Sequence, residues 1–199
     1  MLEDRVELPR LYFGWHSPAM FEPGDAEMDL AADMLANGKT ARLYQRLVYD
    51  RRVALDVSAA QQSREIAGFF ALAVTAAPGA SLADLAAAVD EEVGRLEADG
   101  PTSAEMERAE AQAEAQFVYH LQTVGGFGGK SDQLNAYNVF LKDPGFFSRD
   151  LARYHDVTAE SLREAVRRYL ANSNRVALSV VPKGKTVFAL PGSIPSLVS

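Results

Sequence analysis

Residues 35–60 constrain the fold most, because they predict the end of one helix, a second helix and a strand in immediate succession. Asn37 and Gly38 are typical of a helix end, since both residue types tolerate the left-handed backbone conformation. Thr40 is then placed to cap the next helix through its hydroxyl group. A short turn therefore separates two predicted helices.

The apolar residues after Thr40 change their spacing midway. Four of them recur at helical intervals and predict one apolar stripe: Leu43, Tyr44, Leu47 and Val48. From residue 55 the period becomes two, with Leu55, Val57 and Ala59 on one side and Asp56 and Ser58 on the other. Such alternation predicts a half-buried strand, so a helix leads into a strand within a few residues.

Strand patterns recur at both ends of the chain. Leu11, Phe13 and Trp15 alternate with polar or small residues and predict a first strand. Residues 68–75 are almost continuously apolar, which predicts a central strand covered on both faces. Residues 176–180 alternate again and predict a last strand.

Helix signals dominate the middle of the chain. Ser81 and Thr102 begin two long helices, and Glu105 completes a capping box with Thr102. Thr158 begins a last helix. The apolar stripes of the two long helices are expected to pack on the strand at residues 68–75, and the stripe residues expected there are Leu85, Val89, Met106 and Phe117.

This order of elements predicts an α+β fold, a mostly antiparallel β-sheet with α-helices packed on one face. We expect residues 1–182 to form this single domain, because 48% of the 199 residues are apolar and suffice for a core. Residues 183–199 contain Pro191, Gly192 and Pro195, which indicate a C-terminal arm or linker.

Charge and composition exclude several partners and compartments. The net charge of −7 argues against nucleic acid and anionic membranes as partners. No apolar run approaches the ~20 residues that a bilayer requires, and cysteine is absent. We therefore expect a soluble chain of the periplasm or cytoplasm, with the periplasm favoured if an export signal lies upstream.

Motifs of hydrolytic chemistry are missing. His16, His120 and His155 are far apart, so none shares a helical turn with a second histidine, as a His-x-x-Glu-His zinc site requires. No Gly-x-Ser-x-Gly motif occurs. Residues 125–130 are rich in glycine but follow a predicted helix rather than a strand, which favours a helix connection over a phosphate loop. We expect no catalytic residue, no metal ligand and no cofactor in this chain.

Four stretches carry a resemblance to a known family. They are Gly-Lys-Thr-Ala-Arg-Leu-Tyr at 38–44, Gly-Gly-Phe-Gly-Gly-Lys at 125–130, Tyr-His-Asp-Val-Thr at 154–158 and Val-Val-Pro at 180–182. In this order they resemble the second, non-catalytic domain of insulinase-type zinc peptidases, the pitrilysin-like inverzincins. The last three agree with bacterial members. The resemblance spans roughly residues 8–185.

The resemblance implies a domain that lacks zinc but closes a substrate chamber with a zinc-bearing domain or subunit. An extended peptide substrate and a second copy of the chain are the further partners that we expect. Two other classes stay open. Core subunits of respiratory complexes resemble these peptidases and serve as scaffolds without catalysis, and an unrelated α+β binding module is the third class.

The resemblance also implies candidate site residues. In the similar mitochondrial processing peptidase, a longer glycine-rich loop contacts substrate where Gly38 and Lys39 lie here. We take Gly38, Lys39 and Tyr44 as candidate substrate-binding residues, and the alternative is that Gly38 only ends a helix. Insulin-degrading relatives carry an Arg and a Tyr where Val48 and Leu55 occur in this chain. Four aromatic residues are candidates for the chamber wall: Tyr44, Phe127, Tyr137 and Phe140.

Overall fold

A computed structural model of the chain describes residues 1–126 and 128–196. Within these residues one sheet is formed by β1 (Leu2–Asp4), β2 (Arg10–Ser17), β3 (Ala54–Gln62), β4 (Gly68–Ala76) and β5 (Arg175–Pro182). The spatial order is β1-β5-β2-β4-β3, in which only β1 and β5 pair in parallel. The strand β3 is therefore an edge of the sheet.

The helices lie on one face of this sheet. They are α1 (Asp25–Leu35), α2 (Leu82–Asp99), α3 (Ser103–His120), α4 (Lys130–Ala136), α5 (Phe147–His155) and α6 (Ala159–Tyr169), with π-helical segments at Tyr44–Asp50 and Tyr137–Leu141. Short 3-10 turns occupy Asn172–Asn174 and Thr186–Phe188. Contacts with the strands come from α1, α2, α6 and the π-helical segment Tyr44–Asp50, whereas α3 contacts α1 and α5. The predicted α+β fold is confirmed.

The core lies between the sheet and the helices. Phe13, Trp15 and Phe70 are buried there, and the Trp15 ring lies 5.6 Å from Phe13 and 5.9 Å from Phe70. The opposite face of β4 carries Phe69, Ala71, Ala73 and Thr75, which are exposed or half-buried. The prediction that both faces of this strand are covered is wrong, because alanines rather than a second helix layer account for the apolar run.

Capping residues begin the long helices as predicted. The Ser81 hydroxyl accepts a hydrogen bond from the Ala83 N–H at 3.2 Å. Thr102 and Glu105 form a reciprocal capping box, and Thr158 caps α6 together with Ser161. The predicted cap at Thr40 is wrong, because the helical conformation begins at Arg42, which places Ala41 and not Thr40 immediately before the helix.

A β-bulge overturns the prediction for Leu55. Ala54 pairs with Ala76 and Asp56 with Thr75, so Leu55 is an extra residue in β3. The bulge turns Leu55 outward, where 55% of it is exposed, while Ala54 and Val57 are buried. Substitutions of Leu55 should therefore disturb few packing contacts, contrary to the expectation from alternation alone.

The long helix α3 packs in a second layer. Its buried residues are Ala109 and Ala113, whereas Phe117 is half-buried and contacts Phe147 and Tyr154 at ring distances of 5.7 and 5.4 Å. Leu85 and Val89 of α2 are fully buried as predicted. The prediction for Phe117 is wrong because α1 lies between α3 and the sheet.

The C-terminal residues 183–196 run along β1. The Lys183 N–H donates to the Asp4 carbonyl at 3.1 Å, and the Ser196 N–H donates to the Met1 carbonyl at 2.7 Å. The Leu190 N–H donates to the Ser179 hydroxyl at 3.1 Å. The division into a domain at 1–182 and an arm at 183–199 stays a prediction, and residues 197–199 lie outside the described part of the chain.

Candidate functional site

The predicted substrate loop lies at the surface beside the edge strand. Gly38 has a φ of +89°, and a Cβ atom built on it would meet nothing within 4 Å. Lys39 is also exposed, and its carbonyl accepts a hydrogen bond from the Gln45 side chain. Tyr44 is half-buried and packs against the core. The loop therefore presents Gly38 and Lys39 to solvent, whereas Tyr44 is partly taken up by packing.

The outer edge of β3 lies next to this loop and pairs with no other strand in the described residues. The Ala59 N–H points away from β4 and donates to Asn37 Oδ1 at 3.5 Å. Because backbone groups alternate between the two edges of a strand, those of Val57 and Gln61 point to the same outer edge. This edge offers hydrogen-bonding groups to a further strand.

Three carboxylates follow one face of α1 toward the same region. Asp25, Asp29 and Asp33 are four residues apart, and this spacing places them in a row along the helix. Asp25 is buried and accepts hydrogen bonds from the Phe21 N–H at 2.9 Å and from Arg153 Nη1 at 3.3 Å. The charge of Asp25 is thus balanced by Arg153 within the fold.

Asp29 has no hydrogen bond to a cation within the described residues. Its Oδ2 accepts a hydrogen bond from the Tyr154 hydroxyl at 2.7 Å. Burial raises the pKa of Asp29 to about 7, an effect that this hydrogen bond opposes and that Asp25 and Asp33 reinforce. Burial and then the charge of Asp29 raise the pKa of Tyr154, which keeps its hydroxyl a donor.

Asp33 links the helix to the loop and the strand. The Asn37 Nδ2 donates to Asp33 Oδ1 at 2.9 Å, while Asn37 Oδ1 accepts from Ala59. Burial raises the pKa of Asp33, and the hydrogen bond from Asn37 partly offsets this effect. Asn37 therefore fixes the end of α1 against β3.

A cleft of about 290 Å³ opens between α1, α3 and β3. Its apolar lining includes Leu30, Ala113 and Phe117, and β3 contributes Ala59, Ala60 and Gln61. The other polar residues that line it are Asp29, Asp33, Asn37, Gln116, His120, Gln133 and Tyr154. None of these lining residues is a lysine or an arginine.

A second network holds Tyr154 and its helix in place. Arg153 donates to Asp150 Oδ1 at 3.0 Å through Nε and at 2.6 Å through Nη2. The Tyr137 hydroxyl donates to Asp150 Oδ2 at 2.7 Å and accepts from Gln133 at 2.8 Å. This network joins α4 and α5 to α1, and it pairs the guanidinium group of Arg153 with carboxylates.

Two other candidates from the sequence, Tyr137 and Phe140, do not line the cleft. Tyr137 is buried in the network and cannot line a chamber, whereas Phe140 is 38% exposed. Phe127 lies outside the described residues. The glycine-rich residues near 125–129 connect α3 to α4 as predicted, and Gly126 and Gly128 adopt positive φ values of 84° and 76°.

Histidines and metal ligands give no catalytic centre in the described residues. His16, His120 and His155 are exposed, and no group of three or more His, Asp or Glu residues within 1–126 and 128–196 could hold a metal ion. No helix in this part of the chain is long and apolar enough to cross a membrane. Sequence reasoning missed the carboxylate row, although its four-residue spacing beside Met28 and Leu30 was visible.

Comparisons with solved structures reveal the same fold in larger chains. A protease from Helicobacter pylori superposes with a TM-score of 0.80 at 18% identity, over 92% of this chain and 43% of that chain. The inactive peptidase domain of a candidate zinc protease from Bordetella parapertussis gives 0.77 at 22% identity, over 91% and 94%. Complex III2 from Candida albicans gives 0.76 at 15% identity, over 91% and 44%.

The chain thus spans less than half of the Helicobacter pylori protease. A search of curated proteins found no match to the sequence. The family model of the Peptidase M16 inactive domain matches residues 1–113, which is more than half of the chain. Together with the fold, this match shows that the chain belongs to the inactive-domain family of the M16 peptidases.

Proposed function

We propose that this chain is the non-catalytic, substrate-binding domain of a zinc metallopeptidase and that it closes a chamber with a separate zinc-bearing domain or subunit. The observation that carries the proposal is the outer edge of β3 beside Gly38 and Lys39, which no other described strand covers and where only a long 3.5 Å hydrogen bond from Ala59 to Asn37 would have to yield. An extended peptide gains main-chain hydrogen bonds when it adds to such an edge. The peptide would lie next to the cleft between α1 and α3.

The effect of such a domain on cleavage is positioning. A peptide held in one register brings its scissile bond to the zinc of the partner. Because the bond is already positioned in the complex, less entropy is lost on the way to the transition state. The Helicobacter pylori protease is more than twice the length matched by this chain, which leaves room for a further domain there. Zinc is assigned to the partner and not to this chain.

A scaffold role is the second candidate. The similarity to complex III2 from Candida albicans favours it, as does the face of the sheet opposite the helices. That face carries half-buried Tyr12, Gly14 and Leu178, which suit packing against another subunit. A scaffold of this kind needs no free strand edge, so peptide binding separates the two candidates.

Peptide binding to the chain tests the proposal directly. The probe is a fluorescein-labelled ten-residue peptide of alternating threonine and alanine, and its anisotropy reports binding. A second peptide of the same sequence carries an N-methyl group on every residue. It has no N–H group to donate to β3 in any register, so we expect it to bind at least tenfold more weakly.

The control is size-exclusion chromatography, because β3 could also pair with β3 of a second copy. A monomer that binds the parent peptide much more tightly than the methylated peptide supports the proposal. Equal binding of both peptides, or no binding of either, would remove strand addition and favour the scaffold.

A further inference from the structure

We propose that the cleft between α1, α3 and β3, hereafter the acidic cleft, receives the lysine or arginine side chain of a peptide paired with β3. The inference rests on the proposed function, which places an extended peptide on this edge. It adds a specificity that strand pairing alone lacks, since main-chain hydrogen bonds are the same for every sequence.

The charges around the acidic cleft are not balanced within the described residues. Asp29 accepts a hydrogen bond from neutral Tyr154, and Asp33 accepts one from neutral Asn37. The guanidinium group of Arg153 is engaged by Asp150 and Asp25. Neither carboxyl group has a cation hydrogen-bonded to it in the described residues, and an external cation would favour the ionised forms that burial opposes.

A buried amide gives an independent indication. Gln61 lines the cleft, is only 8% exposed, and donates through Nε2 to the Pro18 carbonyl and to Asp25 Oδ1 at 3.3 Å each. Its Oε1 has no hydrogen-bond partner in residues 1–126 and 128–196. Buried polar atoms normally have a partner, so this oxygen indicates a missing donor. Lysine and arginine bring only donors.

The direction of the side chain follows from strand geometry. Ala59 and Gln61 have side chains on the helix side of β3 and also line the cleft. In a strand paired with β3, the residue opposite each of them points its side chain to the same side. Every second residue of the peptide therefore faces the acidic cleft.

The dimensions and lining suit a long basic side chain. The cleft of about 290 Å³ offers Ala113 and Phe117 to the aliphatic stem and the two carboxylates to its charged end. Lysine and arginine bury their stems on apolar surface in this way. Acidic side chains would meet Asp29 and Asp33 and are disfavoured.

Two peptides that differ only in charge test the inference. Both are N-acetylated, C-amidated and fluorescein-labelled threonine–alanine decamers, and one central residue is either arginine or its neutral analogue citrulline. Acetylation removes the terminal amine as a second cation. We expect the arginine peptide to bind about tenfold more tightly at low salt, the difference expected for charge-assisted hydrogen bonds.

The double variant D29N/D33N should abolish this tenfold difference. Asparagine keeps an acceptor for Tyr154 and has almost the same shape. The matched control is E114Q, which removes a carboxylate from the exposed side of α3 and should leave the difference unchanged. If the double variant fails to fold, the ratio of the arginine-peptide to the citrulline-peptide affinity is still measured for the wild-type chain and for D33N alone, and it decides.

The outcomes separate this inference from the proposed function. Equal affinities for both peptides would overturn the cation site and leave strand addition standing. If neither peptide binds, the proposed function fails, and agmatine added to ¹⁵N-labelled chain then decides on the cleft itself. Agmatine shifts at Ala59 to Gln61 that vanish in D29N/D33N would support a cation site, and no shifts would overturn it.

Discussion

Asp29 carries a carboxyl group that burial drives toward its neutral form. Its pKa rises from 3.8 to about 7 in the folded chain. Charged or titratable groups face it from its own helix, from α5 and from α3: Asp25, Asp33, Arg153, Tyr154 and His120. The folded state therefore keeps a proton that the unfolded chain loses near pH 4.

This linkage predicts how stability depends on pH. The contribution of Asp29 is complete below about pH 4 and is lost as the pH rises to about 7, because the unfolded chain binds fewer protons in that window. D29N does not titrate, so it should gain stability relative to wild type by a few kcal/mol between pH 4.5 and 8. Urea unfolding at both pH values measures this gain, with E114Q as control. A gain that does not change with pH would mean that folded Asp29 is already ionised at pH 4.5.

At the scale of elements, the helices form two layers that contribute differently to the free energy of unfolding. Leu85 of α2 is fully buried against the sheet, whereas Phe117 of α3 is half-buried among aromatic residues. We expect L85A to lower the free energy of unfolding by roughly 2–5 kcal/mol. F117A should cost less, about 1–2 kcal/mol, because less area leaves water on folding.

Chemical denaturation of both variants checks this order. Equal costs, or a larger cost for F117A, would place α3 in the main core and contradict the layer arrangement. F117A also removes one wall of the acidic cleft. We therefore expect the loss in free energy of peptide binding to exceed the loss in free energy of unfolding.

At the scale of the whole molecule, the proposed function predicts that activity depends on a partner. We expect the isolated chain to be inactive and a zinc-bearing partner to cleave peptide faster when this chain is added. K39A changes an exposed residue with little packing, so it should reduce cleavage while the melting temperature stays the same. Full activity of the partner alone would remove the peptidase role and leave the scaffold candidate.

Local patterns predicted much of this fold, because caps and apolar periods depend on residues close in sequence. Ser81, Thr102 and Thr158 begin helices where the sequence indicates, and Leu43 and Leu47 are buried in one stripe. The sequence also shows that no His-x-x-Glu-His motif is present, since the three histidines are far apart.

Tertiary structure decided the rest, because layer order and strand register depend on distant residues. A single bulge opposite Thr75 and Ala76 turned Leu55 to solvent, which alternation within one strand cannot reveal. The acidic cleft needs Asp29 from α1, Gln61 from β3 and Tyr154 from α5. Residues so far apart in sequence acquire a common pocket and a raised carboxyl pKa only when packing excludes water from between them.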